Sequence, residues 1–137
     1  MDLAPYLHFS GNCEEAFQFY AQALNGKITF IHTYGESPMS GMVPPEYSKK
    51  IMHATLEFGG NRLYACDAPP DRQGKMQGIT LSMETSDPAE SEKIFQTLVE
   101  GGTETMPFQK TFWSPGFGML KDKYGVPWMV NTTQPQA

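Results

Sequence analysis

A strand leading into a capped helix occurs twice in this chain, once around Asn12 and again around Asp87. In the first copy, Asn12 stands where a helix is capped and Glu15, three places later, is the reciprocal half of a capping box. Cys13, Phe17, Tyr20 and Leu24 then form one apolar stripe at helical spacing, and Asn25-Gly26 provides a left-handed terminus. In the second copy, Asp87 caps, Pro88 occupies the first turn, Glu90 completes the box, and Gly101-Gly102 ends the helix. Setting Asn12 on Asp87 matches Phe19 with Ile94, Tyr20 with Phe95, Ala23 with Leu98 and Leu24 with Val99.

Strands fill the rest of each copy. Residues 4–9, 28–34, 51–58 and 61–66 read as strands of the first half, with Gly59-Gly60-Asn61 as a hairpin turn. In the second half, Ile79, Leu81 and Met83 alternate with Thr80, Ser82 and Glu84, and further strands fit 103–109, 117–122 and 127–132. The stretch from Gly35 to Lys50 is a long loop near a pocket mouth or a partner subunit. The polar run from Asp67 to Lys75 connects the halves. One helix and four strands per half predict an α+β fold of paired βαβββ modules, residues 3–67 and 76–132, within one compact domain covering 1–137. Two such sheets close around a cleft, with the helices outside.

Composition narrows the function classes. A formal net charge of -5 and the lack of a basic, aromatic-interleaved patch argue against nucleic acid as a partner. No apolar stretch approaches the ~20 residues that cross a bilayer, and the N-terminus carries no signal-peptide core, so a cytoplasmic protein with no membrane partner is expected. Cys13 and Cys66 read as free, buried thiols. Charged residues are only 18%, which leaves surface for an oligomer interface.

Tyr6-Leu7-His8-Phe9, the Gly11-Asn12-Cys13-Glu14-Glu15-Ala16 helix start, Ile51-Met52-His53-Ala54, Cys66-Asp67, Thr111-Phe112-Trp113 and the closing Asp122-Lys123-Tyr124-Gly125-Val126-Pro127-Trp128-Met129 together give a resemblance over residues 3–132. The chain resembles the PhnB-like branch of the glyoxalase/bleomycin resistance/extradiol dioxygenase group, the vicinal oxygen chelate superfamily. The resemblance implies the βαβββ repeat, a homodimer, and an open cleft for small molecules. Metal-using relatives place four ligands on strands that correspond to Pro5, Tyr64, Gly78 and Met129 here, none a good divalent-metal ligand. His8 falls on the opposite face from Pro5 by strand alternation, and Glu84 lies roughly 20 Å along the strand from Gly78. No metal and no cofactor are therefore expected. The methyl-transfer label carried by relatives finds no glycine-rich strand-to-helix loop here, since Gly59-Gly60 reads as a hairpin and Gly101-Gly102 as a helix end.

Three residues are candidates for chemistry. His53 suits a proton shuttle near neutral pH, or is a structural histidine; Glu57 shares its strand-face parity; Asp67 orients a histidine or caps a turn. Tyr64, Phe112, Trp113, Phe117 and Trp128 wall an apolar pocket or form a dimer core, and Met39 and Met42 seal that pocket or pack on a second chain. Asp122 and Lys123 read as a hairpin corner, His8 is expected on the side opposite the cleft, and His32 shows no partner in sequence. The reading that results is a small-molecule-binding homodimer whose cleft lacks the metal set. Its alternatives are a lyase, isomerase or dioxygenase-related enzyme, metal-independent or with relocated ligands, and a structural or regulatory partner protein.

Overall fold

In the computed structural model of the chain, residues 1–38 and 40–134 are described, so Met39 lies outside the described residues. The chain divides into two compact units, Met1–Gly74 and Lys75–Ala137. The first contains β1 (Tyr6–Phe9), α1 (Cys13–Ala23), β2 (Lys27–Thr33), β3 (Ile51–Phe58) and β4 (Asn61–Asp67). Its sheet runs in the order β1-β4-β3-β2, with β1 parallel to β4 and the other pairs antiparallel. The second repeats this with β5 (Leu81–Thr85), α2 (Pro88–Leu98), β6 (Thr103–Gln109), β7 (Phe117–Lys121) and β8 (Pro127–Thr132), in the order β5-β8-β7-β6. The parallel pair is again the first strand with the last. The expected α+β fold of paired βαβββ modules is the observed one.

Strand alternation sorts each sheet into a helix-covered face and an open one. In the first unit Leu7, Phe9, Ala54, Leu56, Leu63 and Ala65 are buried on the face that carries α1. They meet Cys13, Ala16, Phe17 and Tyr20, all completely buried, as the apolar stripe requires. Truncating Phe17 to alanine there costs about 3–5 kcal/mol. In the second unit Ile94, Phe95 and Leu98 of α2 cover Leu120, Trp128 and Val130. Gly118 permits that contact, because a Cβ on it would lie 2.7 Å from the Phe95 ring and 3.0 Å from the Phe108 Cα.

The two helices start differently. Asp87 caps α2 as expected, accepting from Ala89 N at 3.0 Å, but its own N–H donates to Thr85 Oγ1. Asn12 makes no side-chain cap bond. Its place at the start of α1 is taken by Asp67, whose Oδ1 accepts from the backbone N–H groups of Gly11 and Cys13, each at 2.9 Å. Its Oδ2 accepts from Ile51 N, also at 2.9 Å. A carboxylate from the far end of β4 thus accepts from the first residue of the helix and from the turn before it, and adds a charge that suits a helix N-terminus.

The loop after β2 forms two short 3₁₀ turns, Ser40–Met42 and Pro45–Tyr47. Tyr34, Val43 and Tyr47 pack with Met52 into a small core of their own. The Tyr34 hydroxyl donates to Asp67 O and the Tyr47 hydroxyl to Ala68 O, each at 2.7 Å. Burial pushes the Tyr34 hydroxyl up to about 12. Met42 stays 57% exposed. β5 starts two residues later than the alternation predicts, and Ile79 lies outside it, 76% exposed. Cys13 and Cys66 are free and buried.

Asp67→Ala strands three backbone donors, two of them buried, where Asp87→Ala loses one exposed cap. The expected cost is about 1 kcal/mol for Asp87→Ala and about 3 kcal/mol or more for Asp67→Ala, read from urea unfolding of the two variants. Equal losses would mean that Asp67 does not organise the start of α1.

Candidate functional site

The face of the first sheet that α1 leaves open carries the chemistry. Two cross-strand rows define it. Tyr6 pairs with Tyr64, Tyr64 with Thr55, and Thr55 with Phe30. In the next row His8 pairs with Cys66, His53 lies across from Cys66 one step beyond the Ala54–Ala65 pair, and His32 pairs with His53. A register shift between Ile28 and Phe30 puts the last strand in phase. Unbroken alternation from Lys27 would turn Thr29 and Ile31 toward this face; the extra residue turns Phe30 and His32 there instead.

His53 sits at the centre. Its ring lies 5.5 Å from that of Tyr64, 5.6 Å from Tyr6 and 5.7 Å from Phe30, centroid to centroid. Nδ1 is 3.2 Å from the Tyr6 hydroxyl and Nε2 is 3.3 Å from Thr55 Oγ1. A neutral imidazole has one N–H and one acceptor, and since both partners are hydroxyls either tautomer satisfies both contacts. Partial burial lowers the His53 pKa from its ordinary 6.5, which keeps the ring neutral at pH 7. Burial, and then the neighbouring Cys66, push the Tyr6 hydroxyl above its usual range, so it remains a proton donor. Burial likewise raises the Cys66 thiol, whose Sγ is 3.5 Å from His8 Nδ1.

The candidate residues read from sequence are distributed unevenly. Tyr64 is on this face, its hydroxyl accepting from Arg62 Nη1 at 3.4 Å. Glu57 is on it too, but four residues along the strand, roughly 13 Å from His53, and ion-paired with Arg62 at 3.7 Å. Asp67 is on the opposite, α1-covered face, 1% exposed, with both oxygens engaged by backbone donors. His53 therefore has Tyr6 and Thr55 as partners, and neither carboxylate. Phe112, Trp113 and Phe117 belong to the second unit. Their rings follow one another at 4.8 and 5.3 Å, Phe112 and Trp113 on a turn held by Thr111 and Ser114 and Phe117 at the start of β7, with Phe112 94% exposed. Trp128 is 2% exposed under α2, and its Nε1 donates to Asp122 Oδ2 at 2.9 Å, so it is a core residue. Asp122 also accepts from the N–H groups of Tyr124 and Val126, in the expected hairpin corner.

Sequence reasoning missed Tyr6, Phe30 and Thr55 and set His8 and His32 aside. The Tyr6-x-His8 and Phe30-x-His32 alternations were the available signal. The error at His8 came from anchoring the strand on Pro5. Pro5 and Gly78 precede β1 and β5, and the residues actually opposite Tyr64 and Met129 are Tyr6 and Ser82. Among the described residues no three His, Cys, Asp or Glu side chains gather closely enough to hold a metal ion. A separate recess of about 290 Å³ at the start of α1 is lined by Glu14, Glu15, Lys49 and Lys50 among others. There Lys50 Nζ donates to Gly11 O at 2.9 Å.

A family model described as 3-demethylubiquinone-9 3-methyltransferase matches residues 1–131. The chain belongs to this PhnB-like family. It is 34% identical over 146 residues to Protein YjdN of Escherichia coli (strain K12), covering 99% of this chain and 98% of that protein. Among solved structures, protein PA1353 from Pseudomonas aeruginosa is 40% identical with a TM-score of 0.90, covering 98% of this chain and 99% of that one. A Bacillus cereus structure described as a putative 3-demethylubiquinone-9 3-methyltransferase, PhnB protein, is 25% identical with a TM-score of 0.81, covering 98% and 100%. The fold is that of the vicinal oxygen chelate superfamily. No described helix is long and apolar enough to cross a membrane.

The lowered His53 pKa has a signed consequence for this member of the family. The unfolded chain protonates His53 near 6.5 and the folded chain only below that. Stability from this residue is thus complete above pH 6.5 and is lost as the pH falls from there through the folded pKa. NMR titration of the His53 imidazole should give a midpoint below 6.5, and His53→Gln should flatten the fall in unfolding free energy between pH 7.5 and 5. A midpoint at or above 6.5 would contradict the sheltered, neutral ring.

Proposed function

We propose that this protein binds a small molecule and that the open face of the first sheet, centred on His53, is where the ligand rests. The observation that carries this reading is the neutral His53 ring set among Tyr6, Tyr64 and Phe30, with hydroxyls at both of its nitrogens. Aromatic rings with a few placed polar groups are the usual lining of a small-molecule site. The family and its fold support the same class of function. We further propose that the protein is cytoplasmic and that it forms a homodimer, the latter supported by the exposed, touching rings of Phe112 and Trp113, which a second copy would cover.

A second reading, a metal-independent lyase or isomerase, is favoured by the Tyr6–His53 contact. A protonated phenol beside a neutral imidazole forms an acid and base pair without a carboxylate. Methyl transfer is not extended to this chain from the family's description. Gly59 and Gly60 make the β3–β4 turn at positive φ, and Gly101 and Gly102 follow α2, so neither run is the glycine loop between a strand and a helix that an adenosyl cofactor favours.

Native mass spectrometry of protein purified without a metal-affinity column, with elemental analysis of the same sample, tests the first reading. The expected result is a dimer carrying an organic ligand and no metal, with the ligand lost from His53→Ala. One divalent metal per chain would move the protein to the enzymes with relocated ligands.

A further inference from the structure

We propose that the His53 face is built for an uncharged, flat aromatic ring bearing a hydroxyl or carbonyl oxygen, an inference that rests on the binding reading above and specifies its ligand. The first argument is shape. Tyr6, Phe30, His53 and Tyr64 are spaced 5.5 to 6.3 Å apart and inclined to their neighbours by 35 to 54°. At these tilts the rings do not stack flat on each other, and they leave ring surface free for a guest; Tyr6 is 43% and Phe30 48% exposed. A planar guest gains contact with several of them at once, which a puckered or chain-like one of the same size does not.

Charge supplies the second argument. The row of Tyr6, Tyr64, Thr55 and Phe30 contains no ion. At the hairpin end Arg62 pairs with Glu57, Lys27 lies across from Glu57 and Asp2 acts on Arg62, while Glu36 lies beside His32 at the other end. None of these ions belongs to the row of rings, and Arg62, which touches Tyr64, is paired with Glu57, so a charged ligand resting on the rings would lose water without gaining a counter-ion there. Polarity supplies the third. The Tyr6 and Thr55 hydroxyls flank His53 and can each give or take one hydrogen bond, which suits a single neutral oxygen on the guest.

Three probes separate these requirements: 2-naphthol, flat and uncharged; 2-naphthoate, the same ring system with a charge; and cyclohexanol, uncharged but not flat. Calorimetry gives affinities, and the His53 imidazole resonances report whether a probe lies on this face. The expected result is 2-naphthol binding at one per chain, at least about tenfold tighter than either other probe. Phe30→Ala or Tyr64→Ala, both at partly exposed positions, should weaken it about tenfold with thermal midpoints unchanged. If 2-naphthoate or cyclohexanol binds as tightly as 2-naphthol and moves His53, the ligand class is wrong and the binding face stands. If 2-naphthol binds equally well to both variants, it lies elsewhere and the inference fails. If no probe moves His53, the inference and the binding reading on this face fall together.

Discussion

One buried carboxylate holds the first unit in register. Asp67, the last residue of β4, accepts backbone N–H bonds from Gly11, Cys13 and Ile51, and so ties the turn after β1, the first residue of α1 and the first residue of β3 to one point. Its own main-chain carbonyl and that of Ala68 are also engaged, by the hydroxyls of Tyr34 and Tyr47. A buried charge is tolerable only when its acceptor positions are filled. Here the donors are groups that the fold would otherwise leave orphaned at a helix start and a strand start. Asp122 performs a similar task locally in the second unit, binding the turn before β8 and the Trp128 indole.

The position of the open face follows from that anchor. With Asp67 turned toward α1, strand alternation turns Cys66 the other way, and the parallel pairing with β1 brings His8 beside it. The same register sets Tyr64 beside Tyr6 and Thr55, and His53 becomes the middle of an aromatic and hydroxyl-bearing surface. The polarity of this surface is that of neutral groups. Burial lowers the imidazole and raises the phenol and the thiol, and Arg62 at its edge is paired with Glu57. A surface of that kind can hold and orient a neutral molecule, and its proton transfers would run between a tyrosine and a histidine.

Much of the fold was legible in the residue order, while most of the site was not. The α2 cap at Asp87, the left-handed Asn25 and Gly101, the buried stripe of α1 and the alternation of β5 are all local signals, and the structure carries them. Asn12 looked like an equally good cap, but a residue from β4 displaced it. His53 and Tyr64 were identifiable as candidates, yet their neighbours were not, since Tyr6, Phe30 and Thr55 reach them across strands. Strand parity puts Glu57 with His53, and Asp67 suits the orientation of a histidine or the cap of a turn. The first is held by Arg62 and the second faces the other side. Trp128 looked like a pocket wall because an indole suits either role, and only packing under α2 decides between them.

By itself, the sequence determined the elements and their repetition: helical spacing, helix ends and strand alternation are set by residues a few positions apart, and the βαβββ order follows from counting them twice. The tertiary structure alone decided which side chains meet. Pairing register and the bulge at Thr29 depend on contacts between strands distant in the chain. Because side chains alternate with a period of two, a shift of one residue exchanges the faces. That is why three histidines that seemed unrelated in sequence share one row, and why an aspartate that seemed catalytic belongs to the core.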